Sequence, residues 1–82
     1  MKTPEAEVAY LEAAFEDGDP AVIAAAFGDI ARARGMTKVA KGTGLSRETM
    51  YKALCADGNP TMGTISKVAK ELGYRLMIAR AA

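Results

Sequence analysis

Polar and basic side chains gather between Met36 and Cys55, in a segment whose spacing fits two short helices joined by a tight corner. Ala40 stands where the first helix must approach the second. Gly44 falls at the corner, where the chain needs a left-handed conformation that glycine adopts at little cost. Ser46 can cap the helix that follows. The spacing therefore predicts a helix-turn-helix, a motif whose second helix enters the major groove of DNA.

The first turns of that second helix carry the side chains that would meet base edges. We assign base reading to four of them: Ser46, Arg47, Glu48 and Lys52. Arg47 can pair with O6 and N7 of guanine, and Glu48 can accept a hydrogen bond from N4 of cytosine. Both have a simpler interpretation, since Glu48 suits the positive end of a helix dipole and Arg47 can be a solvated surface arginine.

Six further residues, near the corner and around the second helix, are candidates for phosphate contacts, which position a protein on DNA without reading its sequence. They are Lys38, Lys41, Thr43, Tyr51, Asn59 and Thr61. Any of them can equally be a solvated side chain. Tyr51 can instead pack its ring and expose its hydroxyl.

Side chains for catalysis are scarce in this sequence. The chain has no histidine and a single cysteine, Cys55, which excludes a disulfide framework, zinc-finger spacing and a histidine-based triad. Its acids are spread along the N-terminal segment instead of being paired. We therefore expect no enzyme activity, no metal and no cofactor.

The net charge of +1 hides a strong asymmetry along the chain. Residues 1–31 contain seven acids and one base, whereas residues 32–82 contain ten bases and three acids. Such asymmetry suggests that the second part meets a polyanion and that the first part does not. A solvated charge pattern without a partner is the alternative.

Alanine-rich composition and helical periodicity predict an all-α protein. Start and stop signals place five helices: one over about 4–17, a second from Pro20 to about Arg34, a third over about 37–41, a fourth capped by Ser46 and running to about Ala56, and a fifth from Thr61 to about Leu72. We expect one domain over residues 1–82, with a helix-turn-helix core at about 20–73 and a tail at 74–82.

The tail has a different period from the helices. Tyr74, Leu76 and Ile78 alternate with Arg75 and Met77, which is the pattern of a β-strand. A lone strand must pair with something, pack as an extended segment or fray.

No apolar run is long enough to span a bilayer, and the acids among the first residues do not fit a signal peptide. The sequence therefore predicts a cytoplasmic protein.

Three runs of the sequence carry a family resemblance: DIARARGM at 29–36, GLSRETMYKAL at 44–54 and GNP at 58–60. Roughly residues 20–73 resemble the lambda-repressor-like helix-turn-helix domains of the XRE type and, more narrowly, residues 19–73 resemble the antidote proteins of chromosomal addiction modules. The resemblance implies a five-helix lambda-repressor-like fold with an extra N-terminal helix and a short extended or strand-like tail. Met36 departs from the wider repressor family, which often has a glutamine there that reaches the DNA backbone.

The resemblance implies an antitoxin that neutralises a RelE/ParE-type toxin encoded beside it. It also implies binding of double-stranded DNA at the operator of its own operon, and we expect a homodimer because one recognition helix reads only a few base pairs. Two alternatives stay open: a stand-alone regulator without a toxin, and a toxin inhibitor whose helix-turn-helix is vestigial.

Overall fold

The computed structural model describes residues 3–55 and 57–81, and within these ranges the chain is all-helical. The helices are, in chain order, α1 (Pro4–Asp17), α2 (Pro20–Arg34), α3 (Met36–Thr43), α4 (Arg47–Ala53) and α5 (Met62–Glu71). The predicted all-α class and the order of its five helices are confirmed. The third helix extends one residue earlier and two residues later than predicted.

Side-chain caps explain where four of the five helices begin. Each capping residue has an extended backbone conformation, and its side chain accepts a hydrogen bond from a backbone N–H of the first turn. That N–H has no partner inside the helix. The pairs are Thr3 with Ala6 at 3.1 Å, Asp19 with Ala21 at 2.9 Å, Ser46 with Thr49 at 3.0 Å and Thr61 with Thr64 at 3.2 Å. All four helix starts are read correctly from the sequence.

The corner between α3 and α4 depends on one glycine. Gly44 has φ +79°, and its N–H donates to the carbonyl of Ala40 at 3.1 Å. This is the left-handed region, where a β-branched residue would be strained. The predicted corner and the role of its glycine are confirmed.

Helix α4 is shorter than the sequence predicts, because it ends at Ala53 and not near Ala56. Ala56 itself lies outside the described residues. Leu54 is fully buried and leaves helical geometry with φ −105° and ψ 44°. Its carbonyl lies so close to α2 that a Cβ placed on Gly28 would be 2.1 Å from the carbonyl oxygen. Burial of Leu54 against α2 therefore coincides with the end of the helix.

Helix α2 is the centre of the fold, because it packs against each of the other four helices. The largest fully buried side chains come from α2, from α4 with the residue after it, and from α5: Phe27, Ile30, Met50, Leu54 and Val68. Helix α1 packs mainly on α2. The core includes Ala40 of α3 and Met50 of α4, so it fixes the helices on both sides of the α3–α4 corner.

The predicted strand at 74–78 is wrong, since the described residues contain no strand. The backbone N–H of Tyr74 donates to the carbonyl of Ala69 at 2.8 Å. After Tyr74, none of the described tail residues takes part in a backbone hydrogen bond. A strand requires a neighbouring strand to satisfy its backbone, and this chain has none among its described elements.

Candidate nucleic-acid interface

A polar corner fixes the direction in which α4 leaves α3. The hydroxyl of Thr43 donates to the carbonyl of Ala40 at 2.8 Å and accepts from the N–H of Leu45 at 3.2 Å. Met50 is completely buried beneath the corner. Thr43 is a predicted phosphate contact, but its hydroxyl already spans the turn, so the structure gives it a positioning role.

The first turn of α4 is exposed and preorganised. Ser46 caps the helix, and its hydroxyl also donates to the hydroxyl of Thr49 at 2.8 Å. Arg47 and Glu48 are exposed on this turn. The Arg47 guanidinium lies 5.7 Å from the centroid of the Tyr51 ring, a cation–π arrangement that orders a long side chain. The structure therefore brings four predicted contact residues, Ser46, Arg47, Glu48 and Tyr51, onto the cap and the first two turns of a short helix.

Lys52, the fourth predicted base reader, lies further along α4 and is exposed. It lines a shallow groove of about 260 Å³ together with Thr49, Ala53 and Asn59. Asn59 is a predicted phosphate contact from the loop after α4. The fold thus joins two residues that the sequence places seven positions apart.

The remaining predicted phosphate contacts have different surroundings. Lys38 and Lys41 are exposed on α3. Thr61 caps α5, and its hydroxyl also donates to the hydroxyl of Thr64 at 3.2 Å. Met36 is buried in the core, with 5% of its surface exposed.

Two lysines that the sequence analysis did not assign lie beside the corner. Lys67 and Lys70 of α5 line a second groove of about 390 Å³ with Gly42, Thr43 and Glu71. A Cβ on Gly42 would be 2.0 Å from the Glu71 carboxyl carbon, so the glycine leaves room for that side chain. The signal in the sequence was a pair of lysines three positions apart on one helix face.

A cluster around a buried carboxylate joins α1, the end of α2 and the beginning of the tail, and the sequence analysis also missed it. In this Glu7 cluster (Glu7, Arg34 and Tyr74), the carboxylate of Glu7 accepts from the Tyr74 hydroxyl at 2.6 Å and from two nitrogens of Arg34. Hydrogen bonds from Arg34 and then Tyr74 lower the pKa of Glu7. The sequence signal was its place on the apolar stripe with Leu11 and Ala14, which is the buried face of α1.

A second, exposed cluster lies further along the same pair of helices. In this Asp29 cluster (Asp29, Arg32 and Tyr10), the Asp29 carboxylate accepts from the Tyr10 hydroxyl at 2.6 Å and from Arg32 at 2.7 Å. The hydrogen bond from Tyr10 lowers the pKa of Asp29 and raises that of Tyr10. Two of the seven acids in the first 31 residues are therefore already paired within the chain.

Four other acids of this half, all on α1, are exposed: Glu5, Glu12, Glu16 and Asp17. Asp17 also accepts from the N–H of Asp19 at 3.3 Å, which steadies the turn into α2. The acidic face of α1, defined by these four residues, thus carries charges that the ion pairs of the described chain do not neutralise.

The described residues lack two other kinds of site. No three acidic or cysteine side chains in residues 3–55 and 57–81 are grouped as a metal site. In the same ranges, no helix combines the length and the apolar character that crossing a membrane requires.

Comparison with known proteins gives one family. A family model described as "probable addiction module antidote protein" matches residues 1–80. A protein of Haemophilus influenzae described as uncharacterized is 43% identical over 77 residues, which cover 93% of this chain and 79% of that protein. No solved structure matches the chain.

Proposed function

The chain belongs to the family of probable addiction module antidote proteins, and we propose that it neutralises a toxin of the RelE/ParE type and represses the operon that encodes the pair. Membership of an antidote family supports the antitoxin role and implies a cognate toxin as partner. One observation carries the proposal of DNA binding. It is the exposed first turn of α4, where Arg47 and Glu48 lie on a capped helix end fixed by the corner.

Helix α4 would act as the recognition helix of a helix-turn-helix formed with α3. Its capped end needs no reorganisation on binding. Contact between Arg47 and a guanine edge would therefore cost little conformational entropy. Lys38 and Lys41, exposed on α3, would contact phosphates on either side of the groove. The excess of basic residues in 32–82 favours approach to a polyanion.

Repression would require two copies of the chain. A recognition helix of seven residues, Arg47–Ala53, reaches only a few base pairs, whereas an operator needs the combined specificity of two half-sites. We therefore propose a homodimer with its two α4 helices about 34 Å apart, one turn of B-DNA.

A gel-shift titration against the DNA upstream of its own gene tests this proposal. Arg47→Ala should relax the preference at one base pair by about 1 to 3 kcal/mol, and Arg47→Lys should keep part of that preference, because an ammonium can still donate to guanine but lacks the planar fork. Lys38→Ala or Lys41→Ala should weaken binding to all sequences and reduce the salt slope by about 1. If Arg47→Ala weakens specific and random DNA equally, Arg47 does not read a base.

The acidic face of α1 supports the proposal of a basic toxin. Its four carboxylates would repel phosphate if they faced the operator, so they suit a different partner. A toxin that cleaves RNA must bind a polyanion, and its RNA-binding surface would complement these four residues, Glu5, Glu12, Glu16 and Asp17. Contact there would block the toxin by covering that surface.

Charge removal on α1 tests the toxin surface. The triple variant Glu5→Gln, Glu12→Gln and Glu16→Gln should slow association with the cognate toxin at least tenfold at low salt, because steering charges act mainly on the association rate. Glu48→Gln removes an exposed acid of α4 and is the matched control. An unchanged association rate in the triple variant would exclude this surface as the toxin site.

The two assays together separate the alternatives. A stand-alone regulator would bind the operator and fail to inhibit any co-encoded toxin, whereas an inhibitor with a vestigial helix-turn-helix would do the reverse. In each case the protein acts by binding, and we propose no catalytic step.

A further inference from the structure

Helix α1 leaves two apolar side chains exposed on one side. Val8 exposes 38% of its surface and Phe15 exposes 41%. They are seven positions apart, which is about two turns, so they lie on the same side of the helix and about 10 Å apart along its axis. Pro4 and buried Leu11 continue the same line. We call these four residues the apolar edge of α1.

Phe15 is held in place by the core while part of its ring stays exposed. The ring packs edge-on against Phe27 of α2, with the ring centroids 6.1 Å apart and an interplanar angle of 87°. Phe27 is fully buried, so this contact orders Phe15 in the free protein. An aromatic side chain that is already ordered loses little conformational entropy when a partner covers it, and such side chains are typical anchors of protein interfaces.

Three members of the acidic face of α1 run beside the apolar edge. Glu5, Glu12 and Glu16 each directly follow a residue of the edge, and successive residues of a helix are rotated by about 100°. The three acids therefore form a parallel row on the solvent side of the edge. The ion pairs of the described chain involve other acids, Glu7 and Asp29. The surface thus combines an apolar line with an unneutralised acidic border.

We propose that the apolar edge of α1 is the hydrophobic centre of the toxin-binding surface, where Val8 and Phe15 contact an apolar patch of the toxin that basic side chains border. This inference rests on the toxin-neutralising function proposed above, and it adds the side chains that hold the complex together. The acids then govern association, whereas the two apolar side chains govern dissociation.

Charge selects the toxin as the occupant of this surface. A second copy of α1 would bring two acidic rows close together, and DNA or an anionic membrane would be repelled in the same way. A toxin that binds RNA has the opposite charge. An interface with an apolar centre and a charged border is also the usual arrangement between two proteins.

Val8→Glu distinguishes an apolar contact from a purely electrostatic one. The substitution adds a negative charge beside Glu12, so a purely electrostatic surface would bind a basic toxin at least as fast and as tightly as before. An apolar contact would instead bury an unpaired carboxylate. We expect dissociation from the purified toxin to become at least tenfold faster while the association rate is not reduced. Unchanged or slower dissociation would overturn the proposal.

Val22→Glu is the matched control, because Val22 exposes 39% of its surface and lies on α2. It stands two turns before Asp29, which meets Tyr10 on the opposite side of α1 from Val8. The control adds the same charge away from the apolar edge, so its complex should dissociate at the parent's rate. Equal acceleration in the two variants would remove Val8 from the interface and contradict the proposal.

Phe15→Ala tests the second apolar contact. Because Phe15 also packs on Phe27, the helical signal and the melting temperature of each variant are measured, and rates are compared well below the melting temperature. Phe15→Ala should dissociate at least tenfold faster than the parent. Val8→Ala should dissociate about threefold faster, and it removes so little from an exposed position that it decides the question if Phe15→Ala does not fold. A folded variant that holds the toxin as long as the parent does would contradict the proposal.

The parent protein separates failure of this inference from failure of the proposed function. A parent chain that does not bind the toxin encoded beside it would overturn the toxin-neutralising function, and this inference with it. If the parent binds the toxin and the Val8 and Phe15 variants form equally long-lived complexes, only the apolar edge is excluded. Slower association of the triple glutamine variant in that case would leave a toxin site formed by the acids alone.

Discussion

Helices α1 and α2 carry two clusters of the same chemical groups, the Glu7 cluster and the Asp29 cluster, in different surroundings. Each has a carboxylate that accepts from a tyrosine hydroxyl at 2.6 Å and from an arginine. The Glu7 side chain exposes 8% of its surface, whereas that of Asp29 exposes 44%. The hydrogen bonds from tyrosine have the same length in the two clusters, but the two carboxylates differ in their exposure to solvent.

The two clusters also differ in what they join. The Asp29 cluster links α1 to α2 over 19 residues, and its arginine is three positions away on the same helix. The Glu7 cluster spans 67 residues, from α1 to the root of the tail. A charge-assisted hydrogen bond is worth more where solvent is excluded, and a buried carboxylate costs more if it loses its partners. Equal distances therefore do not imply equal contributions to stability.

Removal of the two carboxylates gives the largest expected contrast. Glu7→Ala should lower the free energy of unfolding by about 2 kcal/mol, because half-buried Tyr74 and the Arg34 guanidinium lose a buried acceptor. Asp29→Ala should cost about 1 kcal/mol, since its exposed ion pair with Arg32 and its hydrogen bond from Tyr10 contribute about 0.5 kcal/mol each. Urea unfolding measures both. Similar losses in the two variants would mean that burial does not distinguish the clusters.

Acid titration tests the same contrast through the pKa values. The pKa of Glu7 is lowered in the folded chain, chiefly by the hydrogen bond from Arg34. The stability that it contributes is therefore complete above the unfolded pKa of about 4.3 and is lost as the pH falls through the lower folded value. Glu7→Gln should flatten the fall in melting temperature below about pH 4.5 more than Asp29→Asn does. A larger flattening in Asp29→Asn would reverse the comparison.

The tyrosine hydroxyls should show a smaller contrast in the same direction. Tyr74→Phe should cost about 1.5 kcal/mol, because the hydroxyl serves a buried carboxylate, and Tyr10→Phe about 0.5 kcal/mol. Both variants keep the ring, so thermal melts report the hydroxyl alone. If Tyr10→Phe costs as much as Tyr74→Phe, burial of the accepting carboxylate does not determine the contribution of the hydroxyl to stability.

Salt should produce the smallest effect. Raising NaCl from 0.1 M to 1 M shortens the screening length from about 10 Å to about 3 Å, and exposed pairs are screened more than buried ones. The cost of Asp29→Ala should fall to about the 0.5 kcal/mol of its hydrogen bond from Tyr10, because salt screens only the ion pair with Arg32, whereas the cost of Glu7→Ala should change by only a few tenths of a kcal/mol. A large loss of the Glu7 contribution in salt would show that solvent reaches the cluster.

Sequence reading succeeded where the decisive contacts are local. The caps at Thr3, Asp19, Ser46 and Thr61 each join residues two or three positions apart, so residue type and spacing suffice to predict them. The left-handed corner at Gly44 is predictable for the same reason. Exposure of Arg47, Glu48 and Lys52 agrees with their assignment as base readers, and that assignment stays a prediction.

Sequence reading failed where a contact depends on distant parts of the chain. Glu7 reads as an ordinary acid in the first turn of a helix, and the sequence analysis assigned no role to Gly28. Tyr74 reads as the first residue of a strand. In the fold, Glu7 and Tyr74 close one cluster, and Gly28 admits the carbonyl of Leu54.

By itself, the sequence determined the helical class, the number and order of the helices, most of their ends and the corner between α3 and α4. Each follows from hydrogen bonds or periodicities that span a few residues. Only the tertiary structure decided which acids are paired, where α4 stops and what holds the root of the tail. These depend on how α2 packs against the other helices, since burial and close approach arise only when segments far apart in the chain meet.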